Sequence, residues 1–270
     1  MKKIVTGIYV ESETSVCNSS IVVTPEGTVV IDTPMFPDNA KQWAKQAENF
    51  GPVKYLINTE PHGDHTTGNC YFGGTLISHE GVRDTILANK ISDVKGMLQM
   101  RWPNAEIPKD FRFRAPDITY TGKLTFYFGG FTFNLIHMPG HTPFQTVVYI
   151  PEKRIVFTSD NISRAVPFFH QAVPDVWLKT LKEMKKLDVD YVVPGHGEVG
   201  DKSVFKEMYD NVVIWTKTVK EAIVAGKTVE EIQKTTDMYK KLPNLPRDER
   251  TPGIIAMNLA AIYNYYKTQK

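Results

Sequence analysis

The apolar positions of the first third of the chain fall into short β-branched runs separated by turn residues. Runs at 4–10, 16–23 and 28–32 predict strands, the last two joined by the turn "TPEG" in the manner of a meander. The pattern then changes to a helix with Pro37 near its start and "NAKQWAKQAENF" as its body, ending at Gly51. "VKYLINT" follows as a buried strand and runs directly into "NTEPHGDHTTGN". That stretch therefore sits on a strand-end loop, where sheet proteins commonly place chemistry.

A second cycle comes next: the strand "GTLISHE", a helix over roughly 81–100, and an irregular stretch "RWPNAEIPKDFRFRAPD". Paired strands are predicted at "KLTFYF" and "FTFNLIH" around Gly129 and Gly130, and at "QTVVYI" and "RIVFTSD" around "PEKR". The segment "PDVWLKTLKEMKKL" carries Trp177, Leu181 and Met184 at helical spacing, and "DYVVPGHG" closes this part as a strand. Two runs of strands, each punctuated by helices, predict two sheets with helices outside. From about residue 201 the chain reads as helical. One helix stops at Gly226, Thr228 and Glu231 form a capping-box pattern, and Thr251 with Pro252 opens the last helix.

Bulk composition narrows the function classes. With 270 residues, 41% hydrophobic and 23% charged, the chain can bury a substantial core. A net charge of +2, spread evenly, gives no footprint for nucleic acid or an anionic membrane. The N-terminus lacks the apolar core of a signal peptide, and no uninterrupted apolar run reaches membrane-spanning length. Two cysteines, Cys17 and Cys70, lie far apart without metal-type spacing, so a reducing cytoplasm is the expected location.

Four of the seven histidines lie beside glycine at predicted strand ends: His62 and His65 in "EPHGDH", His141 in "PGHT" and His196 in "PGHG". Glu60, Asp64 and Asp160 bring the candidate ligands to seven on four loops. Imidazole with carboxylate suits zinc, iron or manganese, and small neighbours let the backbone approach an ion. Gly63 and the preceding proline argue against a helix in the first cluster. A single histidine at a strand end is more often a hydrogen-bonded structural residue than a ligand. The joint pattern is what points to a metal.

That pattern resembles the metallo-β-lactamase superfamily, whose members carry H-x-H-x-D-H, then a histidine in "GHT", an acid after an "F-x-G-D" strand, and a histidine in "PGHG". The resemblance covers about residues 4–200. It implies a four-layer αββα sandwich of two mixed sheets, spanning 1–200 with a helical and loop insertion at about 81–117. Residues 201–270 then form a helical extension packed on the same domain. Position by position it implies one site of Glu60, His62 and His141, a second of Asp64, His65 and His196, and Asp160 bridging them. Two divalent ions are implied, zinc first. The nucleophile would be a hydroxide between them, its pKa lowered from near 15.7 to about 7, with Asp64 helping to orient it. The implied activity is hydrolysis of a small ester, lactone, thioester or similar substrate.

Glu60 departs from the pattern, which usually has histidine there. A third carboxylate cancels the surplus positive charge that two divalent ions, two aspartates and a hydroxide leave, and it brings iron or manganese into contention. Three readings stay open for Glu60: a ligand, which is favoured; a residue facing away from an incomplete, single-metal site; or a general base. Iron-loaded redox relatives place a glutamate at the position of His62, which keeps a non-heme iron oxidoreductase as an alternative, beside a mononuclear ligand-binding relative. Asp160, where true β-lactamases carry Cys or Ser, points toward the lactonase, thioesterase and glyoxalase-like branches.

Of the remaining histidines, His79 is expected to make a structural hydrogen bond and His137 to be packed along its strand. His170 is a candidate substrate contact on the loop after Asp160, together with Phe168 and, from the insertion, Trp102. Met97, Met100, Phe111, Phe113 and Phe169 are further candidates to overhang the metals, and this apolar set suggests an apolar or aromatic small-molecule substrate. The last helix is expected to pack on its own domain, with a homodimer as the alternative.

Overall fold

A computed structural model of the chain describes residues 1–12 and 16–268. The first element differs from expectation. The run at 4–10 is two strands, β1 (Lys2–Val5) and β2 (Ile8–Glu11), paired antiparallel. Gly7 sits between them at φ 83, a left-handed conformation that a side chain disfavours, and there the chain turns back on itself. β3 (Ser19–Thr24) and β4 (Gly27–Ile31) complete an antiparallel meander. Helix α1 (Pro37–Phe50) crosses to β5 (Val53–Ile57), and β6 (Thr75–His79) and β7 (Ile118–Tyr120) add in parallel. These seven strands form the first sheet, in sequence order.

The second sheet has the order β12-β11-β10-β9-β8. Its members are β8 (Lys123–Phe128), β9 (Phe131–His137), β10 (Thr146–Ile150), β11 (Ile155–Ser163) and β12 (Tyr191–His196). β11 and β12 pair in parallel, joined through helix α5 (Pro174–Met184); the other pairs are antiparallel.

Strand alternation explains the layering. Along β3 and β4, Val22, Val29 and Ile31 face the second sheet, meeting Leu135, Val148, Ile150, Ile155, Phe157 and Val193. The intervening Ile21 and Val30 face the other way and bury Trp43, Ala40 and Ala47 of α1. On the second sheet Val147, Val156 and Val192 point outward onto Trp177, Leu181 and Met184 of α5. Helices α6 (Val204–Val224), α7 (Val229–Thr235) and α9 (Thr251–Thr268) join that outer layer through Trp215, Ile232 and Leu259, and α8 (Met238–Lys241) contributes Met238. Each such side chain contributes about 1.5–3 kcal/mol on burial. The result is helix, sheet, sheet, helix, as the motif pattern implied. The capping box at Thr228 and Glu231 is formed.

Two local readings are corrected. The stretch 81–100 is two helices, α3 (Glu80–Ala88) and α4 (Ile91–Gln99), because Asn89 and Lys90 adopt extended backbone and Asp93 accepts from Lys90 N at 2.8 Å to start the second. The segment after His62 is helical after all: α2 (Gly63–Thr66) is one turn with His62 as its N-cap, continued by a 3-10 turn Thr67–Tyr71. Pro61 lies before that cap, outside the turn, where its ring and missing N–H do no harm.

Candidate metal centre

The seven predicted residues converge at one edge of the two sheets. Asn58, at the end of β5, donates to the His65 carbonyl at 3.1 Å and exchanges amide hydrogen bonds with Asn69 at 3.0 and 2.7 Å. This fixes the loop that carries Glu60, His62, Asp64 and His65. His141 follows β9 and its backbone N–H donates to Asn161 Oδ1 at 3.0 Å. In β11 the register shifts between Phe157 and Ser159, where Ser159 has φ 48, and the next residue is Asp160. His196 ends β12.

Each of the four histidines is held by one ring nitrogen from outside. His65 Nδ1 donates to Asp32 Oδ2 at 2.9 Å, His141 Nδ1 to the Phe168 carbonyl at 2.8 Å, and His196 Nδ1 to the Val16 carbonyl at 2.8 Å. His62 donates through Nε2 to Gln171 Oε1 at 3.0 Å. With the outer nitrogen donating, a neutral ring would turn the lone pair of its inner nitrogen toward the cluster. His62 Nδ1 and His141 Nε2 are 3.2 Å apart, with Glu60 Oε2 at 2.8 and 3.7 Å from them. His196 Nε2 lies 3.4 Å from Asp64 Oδ2 and 3.1 Å from Asp160 Oδ2.

Glu60 and His65 are fully buried, and among the described residues both Glu60 oxygens, His65 Nε2 and Asp160 Oδ1 have no aligned hydrogen-bond partner. Convergent lone pairs and carboxylates without donors are the donor set of a cation site, and outer-nitrogen anchoring of each imidazole is what such sites require. Three groups, Glu60/His62/His141, Asp64/His65/His196 and Glu60/His65/Asp160, each bring one ligand atom per residue to within 4.8 Å.

The electrostatics agree. Burial works to raise the pKa of Glu60, Asp64 and Asp160, but the surrounding imidazoles outweigh it and hold all three below the ordinary carboxylate values, Asp160 far below. Conversely, burial works to lower His62 and His196, but Glu60 and Asp160 respectively hold each at about 9. A divalent cation competes with those protons for the same lone pairs.

Above the cluster opens a cavity of about 560 Å³. Phe168 and His170 line it, as do Met97 and Met100. His170 stacks on His62 with ring centroids 4.9 Å apart, and burial, then the His62 and His141 charges, push its pKa down to about 4. Trp102 is not brought to the site. It is absent from the residues that line this cavity, is 56% exposed, and its ring packs on Phe36 with centroids 4.1 Å apart. Phe111 and Phe113 pack with Met35, Val94 and Leu98 under the insertion, and Phe169 is core beside Trp177 and Trp215.

Sequence reasoning missed several residues. Asp32, in "VVID", directly follows β4 at φ 56 and accepts from both the backbone and hydroxyl of Thr59 as well as from His65. An acid closing an otherwise apolar strand was its only signal. Arg101, Asp248 and Arg250 line the cavity mouth, and nothing in their local sequence marks them.

Residues 13–196 match the model of the metallo-beta-lactamase superfamily. Among curated proteins, the chain is similar to a linear primary-alkylsulfatase of Pseudomonas sp., 23% identical over 66% of this chain and 41% of that one. It is also similar to the alpha subunit of 2,4-dinitroanisole O-demethylase of Nocardioides sp., 25% identical over 79% and 62%. The chain thus spans less than two thirds of both relatives. Among solved structures, a metallo-beta-lactamase from Pontibacter korlensis superposes with TM-score 0.61 at 21% identity, covering 78% of this chain and 97% of that one. The sec-alkylsulfatase Pisa1 from Pseudomonas sp. superposes with TM-score 0.74 at 14% identity, covering 98% and 49%. With the family model matching well over half of its length, the chain belongs to the metallo-beta-lactamase superfamily.

Proposed function

We propose that the protein is a metal-dependent hydrolase of a small ester, lactone, thioester or similar substrate, carrying two divalent ions with zinc first. The observation that carries this reading is the set of four imidazoles, each anchored from outside, whose inner nitrogens face three ionised carboxylates at the floor of an open cavity. Glu60, His62 and His141 would hold one ion, Asp64, His65 and His196 the other, with Asp160 between them. Bound there, the ions supply Lewis-acid polarisation of the substrate and an acidified water.

The remaining work falls to the chain. Asp64 is held ionised, lines the cavity and is 22% exposed, so it is placed to accept a hydrogen bond from a water molecule and orient it. His170, neutral at ordinary pH and on the wall beside His62, is placed to hydrogen-bond the substrate. Met97, Met100, Phe168 and Ile254 offer an apolar surface, and Arg101 and Arg250 stand at the mouth, Arg250 with Asp248 at 4.0 Å, which leaves Arg101 as the cation to meet a substrate. Burial and the Arg250 charge lower Arg101's pKa against the pull of Asp64, which sets Arg101 within the field of the site. This combination suits an apolar substrate with an anionic group.

The test is turnover of esters, lactones, thioesters and sulfate esters by protein reconstituted with zinc, manganese or iron. Hydrolysis abolished by a chelator and by Asp64→Ala is expected. Oxygen-dependent turnover confined to the iron form, with no hydrolysis by any form, would favour the oxidoreductase alternative instead.

A further inference from the structure

The first and third ligand groups share Glu60, and they share it through different oxygens. Oε2 faces the inner nitrogens of His62 and His141, at 2.8 and 3.7 Å. Oε1 faces the other way, 3.0 Å from His65 Nε2, a nitrogen that belongs to the second group and itself lies 3.4 Å from Asp160 Oδ1. Glu60 is fully buried and, among the described residues, neither oxygen has an aligned hydrogen-bond donor. An imidazole at this position would offer one nitrogen to one ion. A carboxylate offers two oxygens pointing apart, and here each points into a different set of histidines.

We infer that Glu60 is a bridging ligand, with Oε2 serving the His62/His141 site and Oε1 serving the His65 site, so that Glu60 and Asp160 both span the pair. This rests on the two-ion reading above and changes its terms. Substituting glutamate for a histidine then does more than neutralise one site, because it couples the affinities of both. In a bridge each buried oxygen of Glu60 would have a cation as its counter-charge, in place of the neighbouring imidazoles that hold it ionised otherwise.

The experiment is zinc binding to the full chain, by competition with a chromophoric chelator, for wild type, Glu60→Ala and Glu60→His, with circular dichroism to confirm folding. A bridge predicts that Glu60→Ala weakens both ions, each by about tenfold or more. It also predicts that Glu60→His, which restores one nitrogen, recovers one ion but leaves the other weakened. A terminal role predicts that one affinity falls and the other is unchanged in Glu60→Ala, with both tight in Glu60→His; that result overturns the bridge while leaving the hydrolase reading standing. If Glu60→Ala does not fold, Glu60→His decides alone. Manganese reconstitution gives an independent reading, because a carboxylate-bridged pair is exchange-coupled in its paramagnetic resonance and Glu60→His should weaken that coupling. Wild-type protein binding no more than one ion would instead remove the two-ion premise itself, and the bridge with it.

Discussion

Asp32 Oδ2 lies 2.9 Å from His65 Nδ1, and both side chains are buried. The pair fixes which nitrogen of His65 faces the site, and the Asp32 carboxylate is in turn held by Thr59. Replacing Asp32 by Asn leaves a hydrogen-bonding group of the same shape but removes the charge that favours the Nδ1–H tautomer. Zinc affinity is expected to fall about 10–100-fold, as for other partners of metal-bound histidine. Isothermal titration on Asp32→Asn checks this, and an unchanged affinity would show that the pair only supports the fold.

Gly195 leaves the space that Asp160 fills. A Cβ there would fall 1.8 Å from Asp160 Oδ1 and 2.8 Å from its backbone nitrogen. Gly195→Ala is therefore expected to displace Asp160 and lose turnover by about tenfold or more, although residue 195 bears no ligand atom. Hydrolysis rates of the zinc-loaded variant measure this, alongside a thermal melt to show that it folds.

Trp177 links the outer helix layer to the site. It is fully buried, its Nε1 donates to the Asn161 carbonyl at 3.1 Å, and its ring meets His141 edge-on at 5.8 Å. Trp177→Ala is expected to destabilise the protein by about 3–5 kcal/mol in urea unfolding.

His79 titrates against the fold. Its Nδ1 accepts from Gly81 N at 3.0 Å, capping α3, and its Nε2 donates to the Thr121 carbonyl at 3.1 Å, so the neutral ring is the one that fits. Burial and, next, the neighbouring His137 lower its pKa from 6.5. The unfolded chain therefore takes up this proton near pH 6.5 while the folded chain resists it. Stability from this group is complete above that pH and is lost as pH falls below it. His79→Asn keeps a capping group without the titration, and the loss of melting temperature between pH 7.5 and 5.5, measured in chelator, should be smaller than in wild type.

Arg101 has a separable role if the substrate is anionic. Arg101→Ala is expected to raise KM for anionic substrates about tenfold, the size of a charge-assisted hydrogen bond, while kcat and the KM of neutral substrates stay near wild type.

The legible and illegible parts of this chain divide along local and non-local lines. Strands such as β10 and β11 and the helix α5 follow from periodicity, and the ligand candidates follow from residue type at strand ends. Gly7 as a hairpin turn was masked by apolar residues on both sides, and the break at Asn89 by the helical propensity around it. Where Trp102 packs, on Phe36, is a contact between residues 66 positions apart that its local sequence does not carry. Asp32 acts through a partner 33 positions away in the sequence, His65, and Arg101 reaches the cavity 37 positions after Asp64, and no local pattern carries such placements.

The most direct measurement is metal content per chain after reconstitution and extensive dialysis. The arrangement of the seven residues predicts about two equivalents of a divalent transition metal, reduced on replacing His62 or His196. Less than one equivalent with every ion tried, unchanged by those substitutions, would contradict a metal centre at this edge of the sandwich.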